Sequence, residues 1–443
     1  MQIGLCASIE LRQCRPMTCS EHTAWESLVM SHRLIATKSK PFLKSFTGHG
    51  GRPAVLLLVG ALMALAACDS TAPTNPPPSA QLLADGKQIF RFDTFGDEKF
   101  WTDTLHMERV IQAAVDPVTA LSVGLKVDMD TLPPAVVEAI KAGQVDLKSP
   151  ATTVLLLKLG AVVGVRGTVE TVNGRDSLTR VGITCALCHS TVDDAFGPGI
   201  GHRLDGWPNR SLNPGAIIAL SPALSAAQKA VYNSWGAGKY DPRYNFDGQN
   251  DPTVIPPAYG LAGINSVIFT GDGKDLAYWN RYVAVTQMHG QGNFSEPRLG
   301  INVTNPAPNL VEPKLPALQA YQLSLNAPAP PPGTFDAAAA ARGQLVFTGQ
   351  GKCSTCHVGA EFTDANTRLH PTSEIPTDAT YALRSATKQW RTSPLRGIWQ
   401  HPPYFHDGSA ATLADVVDRY NSAKSLGLSD AQKADLVQYL KSL

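Results

Sequence analysis

A chain of 443 residues is long enough for two or three domains, each with a sizeable buried core. Its 38 basic and 37 acidic side chains almost cancel, leaving a net of +1, so charge makes no case for nucleic acid or an anionic membrane surface as partner.

The chain opens on a leader, residues 1–67. Between Ser31 and Arg52 it carries five basic residues and no acidic one. Ala54–Ala67 then runs fourteen residues without a charge, which suits the apolar part of a signal peptide and is too short to span a bilayer. It closes as Leu65-Ala66-Ala67-Cys68, which resembles a bacterial lipobox. The expectation is an exported protein lipid-anchored to a membrane through Cys68, in the periplasm of a Gram-negative bacterium. The tether at 68–81, with DSTAPTNPPPSA inside it, has too little apolar surface to fold.

A first region, 82–325, follows. Ala161–Val172, Asn173-Gly174 and Leu178–Ile183 read as a β-hairpin that feeds directly into Cys185. The rest of this region is rich in proline and glycine and reads as long ordered loops with short helices. A second proline-rich break, 326–334, separates it from 335–443. There Phe335–Phe347 reads as a helix, with Gly343 suited to a close helix contact. Thr412 with Asp415 reads as a capping box before Leu413, and Ser429 as the cap of a last helix.

Four cysteines remain after the leader and Cys68 are set aside. They form two copies of one pattern, Cys185-Ala-Leu-Cys188-His189 and Cys353-Ser-Thr-Cys356-His357. In C-x-x-C-H each thiol adds to a vinyl group of haem, and the adjoining histidine ligates the iron. Two such motifs arise by chance with a probability on the order of 10⁻⁵. A zinc ribbon would set its pairs about 15–20 residues apart; here Cys188 and Cys353 are 165 positions apart. A thioredoxin-like pair needs neither the histidine nor a second copy. The cofactors expected are two covalently bound haem c, and the fold class is mainly α: two cytochrome c-like haem domains, the first enlarged by loops and a small β-hairpin.

The occupant of the second axial position largely decides the chemistry of each iron. All seven methionines, 1, 17, 30, 63, 107, 129 and 288, precede the second motif, so that domain has no methionine ligand of its own. The donors after His357 are His370, His401, His406 and several tyrosines. Leu413, Val416, Val417 and Tyr420 fall on one helix face, which makes Tyr420 either a metal ligand or a core aromatic.

Pro394-Leu395-Arg396, Pro403-Tyr404-Phe405-His406-Asp407-Gly408 and Ala411-Thr412-Leu413 together resemble the C-terminal signature of the bacterial di-haem cytochrome c peroxidase and MauG superfamily. The resemblance covers about the last 110 residues; in the first region it rests mainly on Cys185 to His189. It implies that the position fourteen after His406 is methionine in peroxidases and tyrosine in MauG-type members, which Tyr420 fits. The rubber-oxygenase branch uses histidine, which keeps His406 as an alternative. Either ligand would favour ferric iron and a low potential.

The resemblance also implies that the N-terminal haem is catalytic. His202, in Gly-Ile-Gly-His, is the expected displaceable distal residue; Met288, His289 and His106 are alternatives. Trp207, Trp235 and Trp279 are candidates for the contact that passes electrons between the haems. Asn209, with the carbonyls of His401 and Pro403, resembles the family's calcium site, although peroxidases tend to have Thr at the position of His401. The expected function is reduction of hydrogen peroxide at the N-terminal haem, with electrons from a small redox protein passed through the C-terminal haem. A MauG-like or rubber-oxygenase-like oxidant, the latter acting with dioxygen, and a non-catalytic electron carrier are the alternatives.

Overall fold

The computed structural model describes residues 77–443, so the leader, the lipid site expected at Cys68 and most of the 68–81 tether lie outside the described residues. The described residues belong to one compact unit, Thr74–Leu443. Helices dominate it. Strands among the described residues form six two-stranded pairings, of which one is longer than three residues. No described helix is long and apolar enough to cross a membrane.

The one long pairing is the hairpin. Val165–Val172 runs antiparallel to Arg175–Ile183, from Val165 opposite Ile183 to Val172 opposite Arg175. Asn173 (φ 52°) and Gly174 (φ 75°) both take the left-handed conformation that a tight two-residue hairpin turn needs. The base of the hairpin lies directly on the first motif. A Cβ at Gly164 would sit 2.1 Å from the Cα of Leu187, and the Thr184 N–H donates to the Gly164 carbonyl at 2.9 Å. Only glycine permits that approach.

Each motif-bearing region is closed by two helices that cross through a glycine. In the first, Ala80–Phe92 meets Leu315–Leu323 at Gly86, whose added Cβ would lie 2.0 Å from the Ala317 carbonyl oxygen. In the second, Ala337–Thr348 meets Asp430–Lys441 at Gly343, whose Cβ would lie 2.0 Å from the Asp435 oxygen. Asp336 caps the first helix of that pair, and Ser429 with Gln432 forms a capping box on the second. Thr412 and Asp415 likewise box the start of Leu413–Ala423.

The apolar side chains bury in three principal clusters. One unites the hairpin with the helices before it, around Trp101, Leu157 and Val181. A second surrounds Phe90, Tyr282 and Met288, and a third surrounds Phe347, Leu413 and Leu436. Cys185 packs against the second cluster and Cys188 against the first, so the first motif is wedged between two cores.

Candidate haem centres

At the first motif the hairpin strand ends at Ile183 and a single turn, Ala186–His189, presents the two thiols and the imidazole. His189 Nδ1 donates to the Pro256 carbonyl at 3.1 Å. A carbonyl can only accept, so the proton sits on Nδ1 and the Nε2 lone pair is left for a metal. Burial holds this imidazole neutral, with its pKa pushed down to about 4. The second motif repeats the arrangement: His357 Nδ1 donates to the Phe362 carbonyl at 2.9 Å, and burial lowers its pKa as well.

The thiols do not suit a redox-active C-x-x-C. Burial pushes Cys185 and Cys188 up to about 12 and Cys353 up to about 11, whereas a reactive dithiol needs a stabilised thiolate. The one metal-like cluster among the described residues joins the motif cysteine Cys356 to Asp364 and His370. His370 is fully buried between two carboxylates, Nδ1 on Glu374 and Nε2 on Asp364, each at 3.0 Å. Both of its nitrogens are thereby occupied.

Beside the second motif lies a cavity of about 580 Å³, lined by Cys353, Cys356, His357, Trp390, His406 and Tyr420 among others. This is within the range of about 300–1,000 Å³ typical of cofactor pockets. A neutral, Nδ1-tethered imidazole at the rim of a mostly apolar cavity of that size fits haem.

Tyr420 and His406 both reach the cavity in different ways. The Tyr420 ring stacks on Phe405 at 6.1 Å. Burial, then Cys356, then Cys353 push its phenol up to about 12, and Tyr420 shares the cavity lining with the motif. His406 is boxed by Trp390 at 4.5 Å and Tyr381 at 5.9 Å, its Nδ1 lies 3.2 Å from the Thr377 hydroxyl, and its buried Nε2 has no partner. Its charged neighbours are Asp407, Asp378 and Lys239. None of these belongs to the motif.

Around the first motif the structure redistributes the expected roles. His202 is corrected from distal ligand to surface residue. It is exposed, and its Nδ1 pairs with Asp130 at 2.8 Å. Ser190–Val192 pairs with Arg203–Asp205 in antiparallel register, which puts His202 opposite Asp193, four ladder steps from His189. At about 3.3 Å per residue that is roughly 13 Å. The glycine-rich spacing around His202 forms the far end of this hairpin. Met288 is buried in the cluster that Cys185 packs against, and the His289 ring stacks on Phe100 with centroids 3.6 Å apart. Protein crowds His289 closely enough to push its pKa down to about 4. His106 Nδ1 lies 3.1 Å from the Thr102 carbonyl.

At the expected calcium site, Asn209 Oδ1 accepts from the Ser211 hydroxyl at 3.0 Å, and its Nδ2 donates to the Gly124 carbonyl at 2.9 Å. Burial, with the neighbouring Arg210 guanidinium, pushes His401 down to about 3.

One segment joins the first motif to the C-terminal region. The Gly206 N–H donates to the His189 carbonyl at 2.8 Å and the Asn209 N–H to the Cys188 carbonyl at 2.9 Å. Between them Trp207 meets Trp399 edge-on at 6.0 Å. Trp235 instead packs on Tyr232, Tyr240 and Tyr244, and Trp279 on Tyr282. A second link is backbone: the Val254 N–H donates to the His406 carbonyl at 2.7 Å, and two residues on, Pro256 accepts from His189. Sequence reasoning named Trp207 without its partner and missed Trp399 and Pro256, which carry no motif.

No family model matches the chain. The methylamine utilization protein MauG of Methylorubrum extorquens is 32% identical over 124 residues, 24% of this chain and 34% of that protein. The cytochrome-c peroxidase IdrP1 of Denitromonas iodatirespirans is 26% identical over 151 residues, 24% of this chain and 40% of that protein. The chain thus spans 34% to 40% of the length of these relatives. Among solved structures, the diheme peroxidase BthA of Burkholderia thailandensis is 17% identical, covering 52% of this chain and 79% of that one at a TM-score of 0.29. A MauG-like protein associated with microbial copper homeostasis is 18% identical, covering 43% and 73% at a TM-score of 0.31. The two curated matches and the paired C-x-x-C-H motifs relate this chain to the bacterial di-haem cytochrome c peroxidase and MauG superfamily.

Proposed function

We propose that the chain is an exported di-haem c-type oxidoreductase of the peroxidase kind, reducing hydrogen peroxide at the first haem with electrons passed through the second. The observation that carries this reading is the Gly206–Asn209 segment. It hydrogen-bonds the last two residues of the first motif, Cys188 and His189, and presents Trp207 to Trp399, a ring contact between the two regions.

Haem, when bound, supplies the one-electron redox chemistry. The chain's own contribution is orientation and dryness. His189 and His357 are held by carbonyls in the tautomer that offers Nε2, and their burial keeps both imidazoles unprotonated near neutral pH. Peroxide reduction consumes two electrons and two protons and yields two waters. A small periplasmic redox protein is the proposed electron donor, with Cys68 the lipid anchor.

The second haem's distal ligand is proposed to be Tyr420, as the resemblance implies; it lines the cavity together with His406, whose buried Nε2 has no partner and which is the alternative. A phenolate would favour ferric iron, which supports the MauG-like variant of the reading over a high-potential shuttle.

Stopped-flow addition of peroxide, following both haem bands, tests the proposal. The expected result is a change of spin or oxidation state in the ferric or half-reduced protein. Two bands inert in both forms would overturn the enzyme reading in favour of the carrier.

A further inference from the structure

The cavity beside the second motif holds two cations that nothing neutralises. Arg210 and Arg391 both line it. Arg210 Nε and Nη1 and Arg391 Nε are buried without a hydrogen-bond partner; Arg391 Nη1 donates to the Ser266 carbonyl at 2.9 Å. The ionisable groups acting on Arg210 are the phenols Tyr259 and Tyr404, with no carboxylate among them, and on Arg391 burial acts alone. Burial pushes both down to about 10.

Glu374 is the sole carboxylate in the cavity lining, and it is spent on Arg368 at 2.7 Å and His370 at 3.0 Å. A buried cation without a counter-ion is unfavourable, and each unmade N–H bond adds to the cost. Two guanidiniums lining one cavity therefore call for a ligand that brings two anionic, planar acceptors. The haem expected at Cys353–His357 carries two carboxylates, which match guanidinium in charge and in fork geometry.

We propose that Arg210 and Arg391 bind the two propionates of the second haem. Arg210 follows directly on Asn209, whose N–H is fixed to the Cys188 carbonyl. The first region thus contributes an anchor to the second region's cofactor, from the same segment that carries Trp207. The inference rests on haem attachment at the second motif, which a haem count on the wild-type protein checks separately.

The test uses the mature holoprotein and its Arg210→Gln, Arg391→Gln, Arg210→Lys and Arg391→Lys variants, with Arg180→Gln, a part-exposed residue paired with Asp103 away from the cavity, as control. Spectroelectrochemistry reads the second haem's potential; resonance Raman reads the propionate bending band. Losing the cation leaves a propionate uncompensated near the iron, so each Gln variant should shift the second haem's ferric-to-ferrous ratio about tenfold toward ferric, or 59 mV for a one-electron couple. The propionate band should shift, Lys should restore much of the potential, and Arg180→Gln should change neither readout. Gln variants with full haem content, wild-type potential and an unmoved band would overturn the proposal, as would an equal effect from Arg180→Gln. If a Gln variant loses its haem, the matching Lys variant decides: a shifted band supports the assignment and an unshifted one rejects it.

Discussion

The same pentapeptide sits in two different settings. The first motif is pinned at the base of a hairpin between two apolar clusters, and its histidine is held by Pro256, 67 residues along the chain. The second borders a cavity of about 580 Å³ with two uncompensated arginines in its wall, and its histidine is held by Phe362, five residues away. The motif brings the same thiol pair and the same histidine tautomer to both places. The surroundings do not repeat, and on the proposed reading they decide what each haem can do. The first centre depends on distant chain segments, and the second is assembled largely from its own region with Arg210 lent across.

The strongest way to break this comparison is to delete one centre at a time. Cys353→Ala with Cys356→Ala should halve the haem content and leave the first haem's spectrum intact. If the locally built second centre disappears when Cys185 and Cys188 are replaced instead, the claimed independence fails. Haem content by the pyridine haemochrome assay checks both.

Acid stability should test the burial of His406 next. His406 is 3% exposed and burial depresses its pKa to about 4, against about 6.5 unfolded. A depressed histidine pKa means that the unfolded chain takes up the proton first. Stability is therefore lost as pH falls from about 6.5 to about 4, by roughly 3 kcal/mol in all. His406→Asn should flatten that slope in denaturant titrations at several pH values, and an unchanged slope would contradict the burial argument.

Smaller effects test the closing helices. Gly343→Ala and Gly86→Ala each drive a methyl into a backbone oxygen at 2.0 Å and should cost about 1–3 kcal/mol by thermal unfolding. The second haem should loosen in the former and the first haem in the latter. Equal loosening of both haems by either variant would erase the distinction between regions.

The smallest predicted effect concerns the distal ligand. Tyr420→Phe should move the second haem's ferric-to-ferrous ratio about tenfold toward ferrous, or 59 mV, and alter its spin state. His406→Ala should leave that band in place. The reverse pattern would hand the ligand role to His406.

Much of this was legible in the sequence because the signals were local. The hairpin announced itself through Asn173-Gly174, the last two helices through Thr412 with Asp415 and Ser429, and the close crossing through Gly343. What failed was long-range. His202 has a suggestive spacing from His189, yet spacing along the chain does not reveal that an antiparallel ladder carries it away toward Asp130. The crossing at Gly86 escaped because its partner helix begins more than 220 residues later. Arg210 and Arg391 belong to no motif, and only a fold shows that a guanidinium is buried without a counter-ion.

Intact mass of the exported protein, combined with peptide mapping of Cys185–His189 and Cys353–His357, bears most directly on the central claim. The account predicts one covalent haem on each pair of cysteines. A colourless protein with free thiols, or zinc recovered at either motif, would contradict it.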